Sequence, residues 1–431
     1  MLSRMKRICA LLMTVFCLAG LWGYSVLERT IEQPFDSVKE LASVDIQKSL
    51  STHQKTWAEQ TKVHLLTIGP GDDLYAWFGH SALIVTSPSG TKIMYDWGIF
   101  DPNQDHFYLN FARGRMYYYV VASEASWRIQ DALEEVRDVS LIELNFSNEA
   151  KLAIISFLNT YIQGDYRTYL YHFYDDNCAT RIRDIIDRAT DGEFKIWAEQ
   201  KQERPSLRNQ VMRYMIHDRA VFWILDFLQG PSVDKELNHY DEMFLPLLLE
   251  QAVMDFTYSD GTPMAISREV LLDTQDLAIR FSIDESSRTY TWFYAILGLL
   301  AASALLLLGL KYPALKRWVL GLFCVFLGVL GSLLLFMMTF SDMDMTYFNE
   351  NILFVNPLLF FASYSILIRK NTQSRMLSIL SLIMMILLLS KLLVPSIMTQ
   401  DNLRIILFLL PIYLSGAGRE RLSHGKKRKA F

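Results

Sequence analysis

Cysteine is scarce in this chain of 431 residues: there are four, at positions 9, 17, 178 and 324. Three of them lie inside apolar runs, so no disulfide framework can staple the polar part of the chain. CxxC and HExxH spacings are missing and the eight histidines are scattered, which argues against a metal centre. The stretch GPGDD at 69–73 lacks the lysine and helix pattern of a phosphate loop, so its glycines read as turn formers. A charge excess is missing too. Forty-two Lys and Arg against 46 Asp and Glu leave a net charge of −4, which offers no basic field to nucleic acid. Nothing in the sequence calls for a cofactor. Apolar residues, by contrast, make up 51% of the chain and the mean hydropathy is +0.16, too apolar for a purely soluble protein.

The apolar residues are concentrated at the two ends. Arg4, Lys6 and Arg7 precede a charge-free stretch from Ile8 to Leu27, either a secretory signal or an uncleaved anchor; its length of ~20 residues, with Leu18-Ala19-Gly20 only a fair cleavage site, favours a signal anchor over 1–28. A juxtamembrane linker helix is expected over 29–62. From Trp292 onward, charge-poor runs at about 292–310, 318–340, 352–368, 376–398 and 403–418 predict five further spans in a transmembrane domain over 289–418. A basic tail, 419–431, follows. Basic and acidic connections alternate, which places both termini inside and residues 29–290 outside. Two cations fall within the spans. Arg404 lies near an end and can snorkel, whereas Lys391 is deeper and would face a polar cavity, pair with a carboxylate or snorkel in turn.

The middle of the chain reads differently. VHLLTI from Val63 and HSALIV from His80 are strand-like, a turn falls at Ser87 to Gly90, and LIELNF is another strand. Residues 124–138 predict a helix, and Asn148 to Ile162 predicts an amphipathic one with Ser147 as its N-cap. The mixture predicts an α+β domain over 63–190, followed by a helical extension over 191–288.

Cys178, in YHFYDDNCATRIRDIID, is the cysteine outside the apolar runs. Ile182, Ile185 and Ile186 recur at helical spacing after it, and Asp175, Asp176 and Asn177 supply capping oxygens before it. This puts Cys178 in the first turn of a helix, where unpaired N–H groups and the helix dipole favour the nucleophilic thiolate. The alternative is a small buried hydrophobe. A thiolate needs a base. His80, opening a strand after Gly79, is the best placed, with His172 as competitor; His64 reads as a half-exposed strand residue, and His53, His106, His217 and His239 lack a comparable setting. Asp96 or Asp101 would orient the imidazole. Asn177 is either an oxyanion donor beside the Cys178 N–H or simply the helix cap.

PGDDLYAWFGHSALIV, YDWGIFD, NFARGRMYYYVV and YDDNCATRIRDIID, followed by DEMFLPLLL and NENILFVNPLL, resemble the Lnb-type bacterial lipoprotein N-acyltransferase family. The similarity runs from about Val63 into the spans. His64 and Ile68 depart from it, standing where smaller or less polar residues are expected. The resemblance implies a periplasmic domain of permuted papain-like fold, akin to NlpC/P60 and lecithin:retinol acyltransferase domains, with His80 and Cys178 on the catalytic positions. It implies an inner-membrane enzyme that moves a fatty acyl group to the α-amine of a lipoprotein's N-terminal cysteine. The expected partners are a phospholipid acyl donor, a diacylated lipoprotein acceptor and the bilayer, with no nucleic acid and no metal. Asn349, Asn351 and Asn356 would lie near the outer surface, available to a head group or peptide amine, or else engaged in capping. The same Cys and His would also serve a cell-wall amidase or peptidase, and a non-catalytic membrane sensor would need neither.

Overall fold

Strands that are apolar almost without a break need cover on both faces, and both candidate strands of the sequence receive it. The structure is a computed structural model that describes residues 51–418 except 102, 104, 165–166, 201–203, 216–218, 275–286, 369–373 and 395–398. The expected N-terminal anchor, the basic tail, His217, Cys9 and Cys17 lie outside the described residues. Two compact units divide the chain: one runs to Arg219 and resumes over Lys235–Ile283, and the other comprises Ala220–Asp234 and the residues from Asp284 on.

In the first unit, α1 (Thr52–Gln60) leads into β1 (Lys62–Ile68), β2 (His80–Thr86), β3 (Lys92–Ile99), α2 (Phe107–Ala112), β4 (Tyr117–Glu124), α3 (Ala125–Glu134), β5 (Val139–Leu144), α4 (Asn148–Tyr161), β6 (Thr168–Leu170) and α5 (Cys178–Ala189). Helices α6 (Glu193–Glu199), α7 (Leu207–Met215) and α9 (Pro246–Asp255) and strand β7 (Ala265–Leu272) complete it, with α8 (Arg219–Leu228) lying between α7 and α9. The seven strands form one antiparallel sheet in the order β6-β4-β3-β2-β1-β5-β7. Val63, Leu65, Leu83, Val85, Tyr95 and Trp97 point to one face, under α4 and α5. Leu66, Ile68, Ala82, Ile84 and Met94 point to the other, which α3 covers with Ala125 and Ala132. Alternation with period two thus feeds two cores from the same strands.

Ile182, Ile185 and Ile186 of α5 are buried as their spacing predicts, each removal from water contributing about 1.5–3 kcal/mol. Ser147 accepts the Ala150 N–H and caps α4. Beyond the helices of 191–255, the chain returns to add β7 to the sheet edge. There Glu250 of α9 accepts from Ser140 of β5 at 2.7 Å and from Arg268 of β7 at 2.8 Å. The helix that opens with Cys178 packs on an antiparallel sheet that carries His80, and the unit has the α+β make-up expected.

The second unit is helical: α8, α10 (Ser287–Lys311), α11 (Pro313–Phe340), α12 (Leu359–Leu367), α13 (Arg375–Leu393) and α14 (Leu403–Gly416). Of the five expected spans, three are helices long and apolar enough to cross a membrane: Thr291–Lys311, Pro313–Phe340 and Arg375–Leu393. The other two are shorter. α14 has 14 residues, about 21 Å against a hydrocarbon core of roughly 30 Å. The run expected at 352–368 opens as a 3-10 turn, Glu350–Leu353, and is helical only over Leu359–Leu367. Asn349 and Asn356 cause this locally: their side chains accept the N–H groups of Asn351 and Leu358, and Pro357 has no N–H to continue a ladder.

The polar residues of this unit are engaged with one another. Asn349 and Asn351 donate to the carbonyl of Phe227 at 2.9 and 3.0 Å, and Gln400 donates to that of Gln229 at 2.9 Å, closing the C-terminal end of α8. Asn356 donates to Ile352 at 3.0 Å. These asparagines therefore cap backbone and are not free to hold a head group. Lys391 pairs with Glu350 at 2.6 Å and donates to the Gln400 carbonyl at 2.7 Å. Arg404 does not snorkel: it is 1% exposed, forked onto Asp226, and reaches Asp401 at 3.2 Å.

Candidate active site

The site begins at Gly79. Its φ of +78° is left-handed, and a Cβ there would lie 2.7 Å from the Ile68 carbonyl. Glycine lets the chain turn tightly into β2, so that His80 opens the strand directly opposite Ile68. On the neighbouring strand Asp96 is paired with Ala82, which sets it diagonally across from His80 on the same face of the sheet. The His80 Nε2 bonds the Asp96 carboxylate, and both side chains are nearly buried. This leaves Nδ1 of the ring for the thiol.

Helix α5 brings Cys178 to that nitrogen. Asn177 is its N-cap: Oδ1 accepts the N–H groups of Ala179 and Thr180, each at 2.9 Å, while Thr180 reciprocates by accepting the Asn177 N–H at 2.8 Å. Nδ2 donates to the carbonyls of Phe173 at 2.7 Å and Phe244 at 2.9 Å. All four hydrogen-bonding positions of the amide are filled, so Asn177 is a structural clamp and not an oxyanion donor. The cap leaves the Cys178 N–H untouched, and among the described residues that group has no acceptor.

The half-buried Cys178 sulfur accepts hydrogen bonds from His80 and from the Ser81 backbone N–H. Burial pushes the thiol up, but the imidazolium of His80 and these donors outweigh it and hold the thiol below its ordinary range. Burial likewise pulls His80 down, while the Asp96 carboxylate and the Cys178 thiolate push it up to about 10. The two groups are coupled, the charge of each favouring that of the other.

The remaining candidates fall elsewhere. Asp101 lies beyond the end of β3, exposed, accepting the Asn103 N–H at 2.8 Å; the structure brings Asp96 and not Asp101 to the imidazole. His172 Nδ1 lies 3.0 Å from the Asp175 backbone nitrogen and 3.2 Å from the Asp175 carboxylate, in a local turn. Asp176 grips Arg181, so of the three expected capping oxygens only that of Asn177 caps the helix. Cys324 is buried in the apolar core of the helical unit.

Two further groups were not apparent from the sequence. Arg128 of α3 sets its Nε 3.7 Å from the second oxygen of Asp96, a juxtaposition made when α3 folds back over the sheet. Gly98 sits at a bulge in β3, between Trp97 and Ile99, with φ of +90°. A Cβ on it would lie 3.9 Å from His80 Cε1 and 4.0 Å from Cys178 Cβ, so it forms the floor beside the reacting sulfur. The glycine in YDWGIFD was a visible signal for such a bulge.

Residues 51–215 match the Lnb N-terminal periplasmic domain, and residues 285–417 match the Lnb transmembrane domain. The chain belongs to the Lnb family. It is a membrane protein with a periplasmic domain. The match to the Lnb periplasmic domain begins at residue 51, ahead of the first motif at Val63, and so takes in α1. No curated protein and no solved structure matches the chain. Within the Lnb periplasmic domain lie all the residues of the Cys178–His80–Asp96 constellation. The carbonyl of Phe244 that steadies Asn177 comes from the segment after it.

Proposed function

We propose that this protein is an inner-membrane acyltransferase that moves a fatty acyl group from a phospholipid through a Cys178 thioester to the N-terminal α-amine of a diacylated lipoprotein. The observation that carries this reading is the convergence of Cys178, His80 and Asp96 in a protein that also bears helices long and apolar enough to cross a membrane. In the first half-reaction the Cys178 sulfur attacks the ester carbonyl carbon, and the developing oxyanion meets the open Cys178 N–H. The ester C–O bond breaks, and His80 Nδ1 gives its proton to the departing lysophospholipid oxygen. In the second, the lipoprotein amine attacks the thioester carbon. His80 accepts a proton from the nitrogen and the thiolate leaves. Asp96 holds the ring and its charge through both halves.

The test is expression in cells depleted of their own apolipoprotein N-acyltransferase, with mass spectrometry of the N-terminal lipopeptide. An added acyl mass on the cysteine amine, lost in Cys178→Ala and in Cys178→Ser, is the expected result. An unchanged lipopeptide with cleaved peptidoglycan stems would point instead to an amidase. Normal function in Cys178→Ala would leave a sensor.

A further inference from the structure

An unbroken run of aromatic rings leads away from the site. Tyr171 stacks on Tyr118 at 4.4 Å between centroids, Tyr118 on Phe100 at 5.0 Å and Phe100 on Phe107 at 5.9 Å, and Phe107 neighbours Phe111 at 6.5 Å. Its inner end is at the nucleophile: Tyr118, Tyr171 and Cys178 pack against the same core, and Phe100 follows the floor residue Gly98 by two positions. The outer end is α2, where Phe111 is 50% and Leu109 is 46% exposed, with Tyr117 exposed nearby. Core packing accounts for the inner rings but not for apolar tips left in water on a helix of six residues. Arg113 and Arg115 are exposed directly after that helix, and Asp101 and Asp105 are exposed before it.

We infer that α2 and the aromatic run behind it form a guide for a phospholipid acyl chain, whose ester end reaches Cys178 while its far end leaves past Leu109 and Phe111 into the hydrocarbon. This rests on the acyl-transfer reading and names where its donor is bound. A water-soluble substrate would gain nothing from Leu109 and Phe111. An acyl chain gains burial against these exposed apolar tips, and the aromatic run behind them is continuous to the site. The occupant assigned is the phospholipid donor, not the lipoprotein acceptor, whose amine must approach only after the lysolipid has left.

The experiment uses the full-length protein in nanodiscs containing phosphatidylglycerol with a diazirine at the end of one acyl chain. Photolabelling is mapped by mass spectrometry. The expected label falls on the peptide spanning α2, and it drops about tenfold in Leu109→Asp/Phe111→Asp. That variant should alkylate Cys178 with iodoacetamide at the wild-type rate, which shows that the site is folded. Label confined to the apolar helices of 287–416 would overturn the inference, as would labelling of α2 by a diacylated lipopeptide probe and not by the phospholipid. A thioester forming from phospholipid at the wild-type rate in the double variant would sink the guide and leave acyl transfer standing. Labelled α2 with no lipid-derived thioester on Cys178 would do the reverse.

Discussion

Asp96 bonds the imidazole of His80 although the two are not cross-strand partners: Asp96 is paired with Ala82, and the contact runs diagonally across the β2–β3 ladder. The geometry fixes which nitrogen is left for Cys178. Nε2 is held by the carboxylate, and Nδ1 is left to exchange the proton with Cys178.

The charge state of that pair has a measurable signature. Cys178 is held below the ordinary thiol range and His80 is raised to about 10. Acidification through the lowered thiol value protonates the sulfur, and a rise in pH through about 10 strips His80 of the proton that the proposed reaction needs. Acylation should therefore show a plateau between those limits. In His80→Ala the cation that lowers the thiol is gone, so iodoacetamide alkylation at neutral pH should slow, by about tenfold for each unit the thiol rises above the assay pH. Alkylation of His80→Ala at the wild-type rate would refute the ion pair.

In the proposed reaction Asp96 orients the His80 ring through its bond to Nε2 without touching substrate. Asp96→Asn should lower turnover by on the order of 10²–10⁴ with little change in KM. Arg128 lies one step further out and acts as a positioning residue on Asp96. Arg128→Ala should cost about two- to fivefold in turnover. With the cation removed, the basic limb of the pH profile should move up, and Arg128→Lys should restore it. An unmoved limb would make Arg128 merely structural.

Asn177 closes the N-terminus of α5 and binds two carbonyls besides. Asn177→Ala removes a cap and leaves the buried carbonyls of Phe173 and Phe244 with lost donors, a destabilisation of about 2–4 kcal/mol. Thermal unfolding of the variant should show it. Asn177→Asp keeps the capping oxygen but loses the amide donors, and should fall between the two. Full activity with unchanged stability in Asn177→Ala would contradict the clamp.

In the helical unit, Arg404 and Asp226 form a pair exposed by only 1% and 2%. Removing one partner strands the other charge, so Arg404→Ala or Asp226→Ala alone should destabilise by about 3–5 kcal/mol. Arg404→Leu with Asp226→Leu should cost less than the sum of the two single leucine variants. Additive losses, measured by thermal unfolding in detergent, would show that the two groups do not depend on each other.

The sequence by itself determined whatever depends on neighbours along the chain. The capped helix with Cys178 in its first turn, its buried isoleucines, the alternating strands and the apolar helices were all legible there. So was the start of a strand at His80, because a glycine before a strand is a local signal. Tertiary structure decided what depends on register and on elements distant in the chain. It chose Asp96 over Asp101, because β3 ends at Ile99 and Asp101 lies past the ladder. It made Asn177 a clamp, because Phe244 comes across from 67 positions away to take its amide. It paired Arg404 with Asp226 across 178 positions, where the charge pattern alone allowed only a snorkelling cation. Periodicity reports which face a residue occupies; which partner it meets on that face is set when strands pair and helices dock.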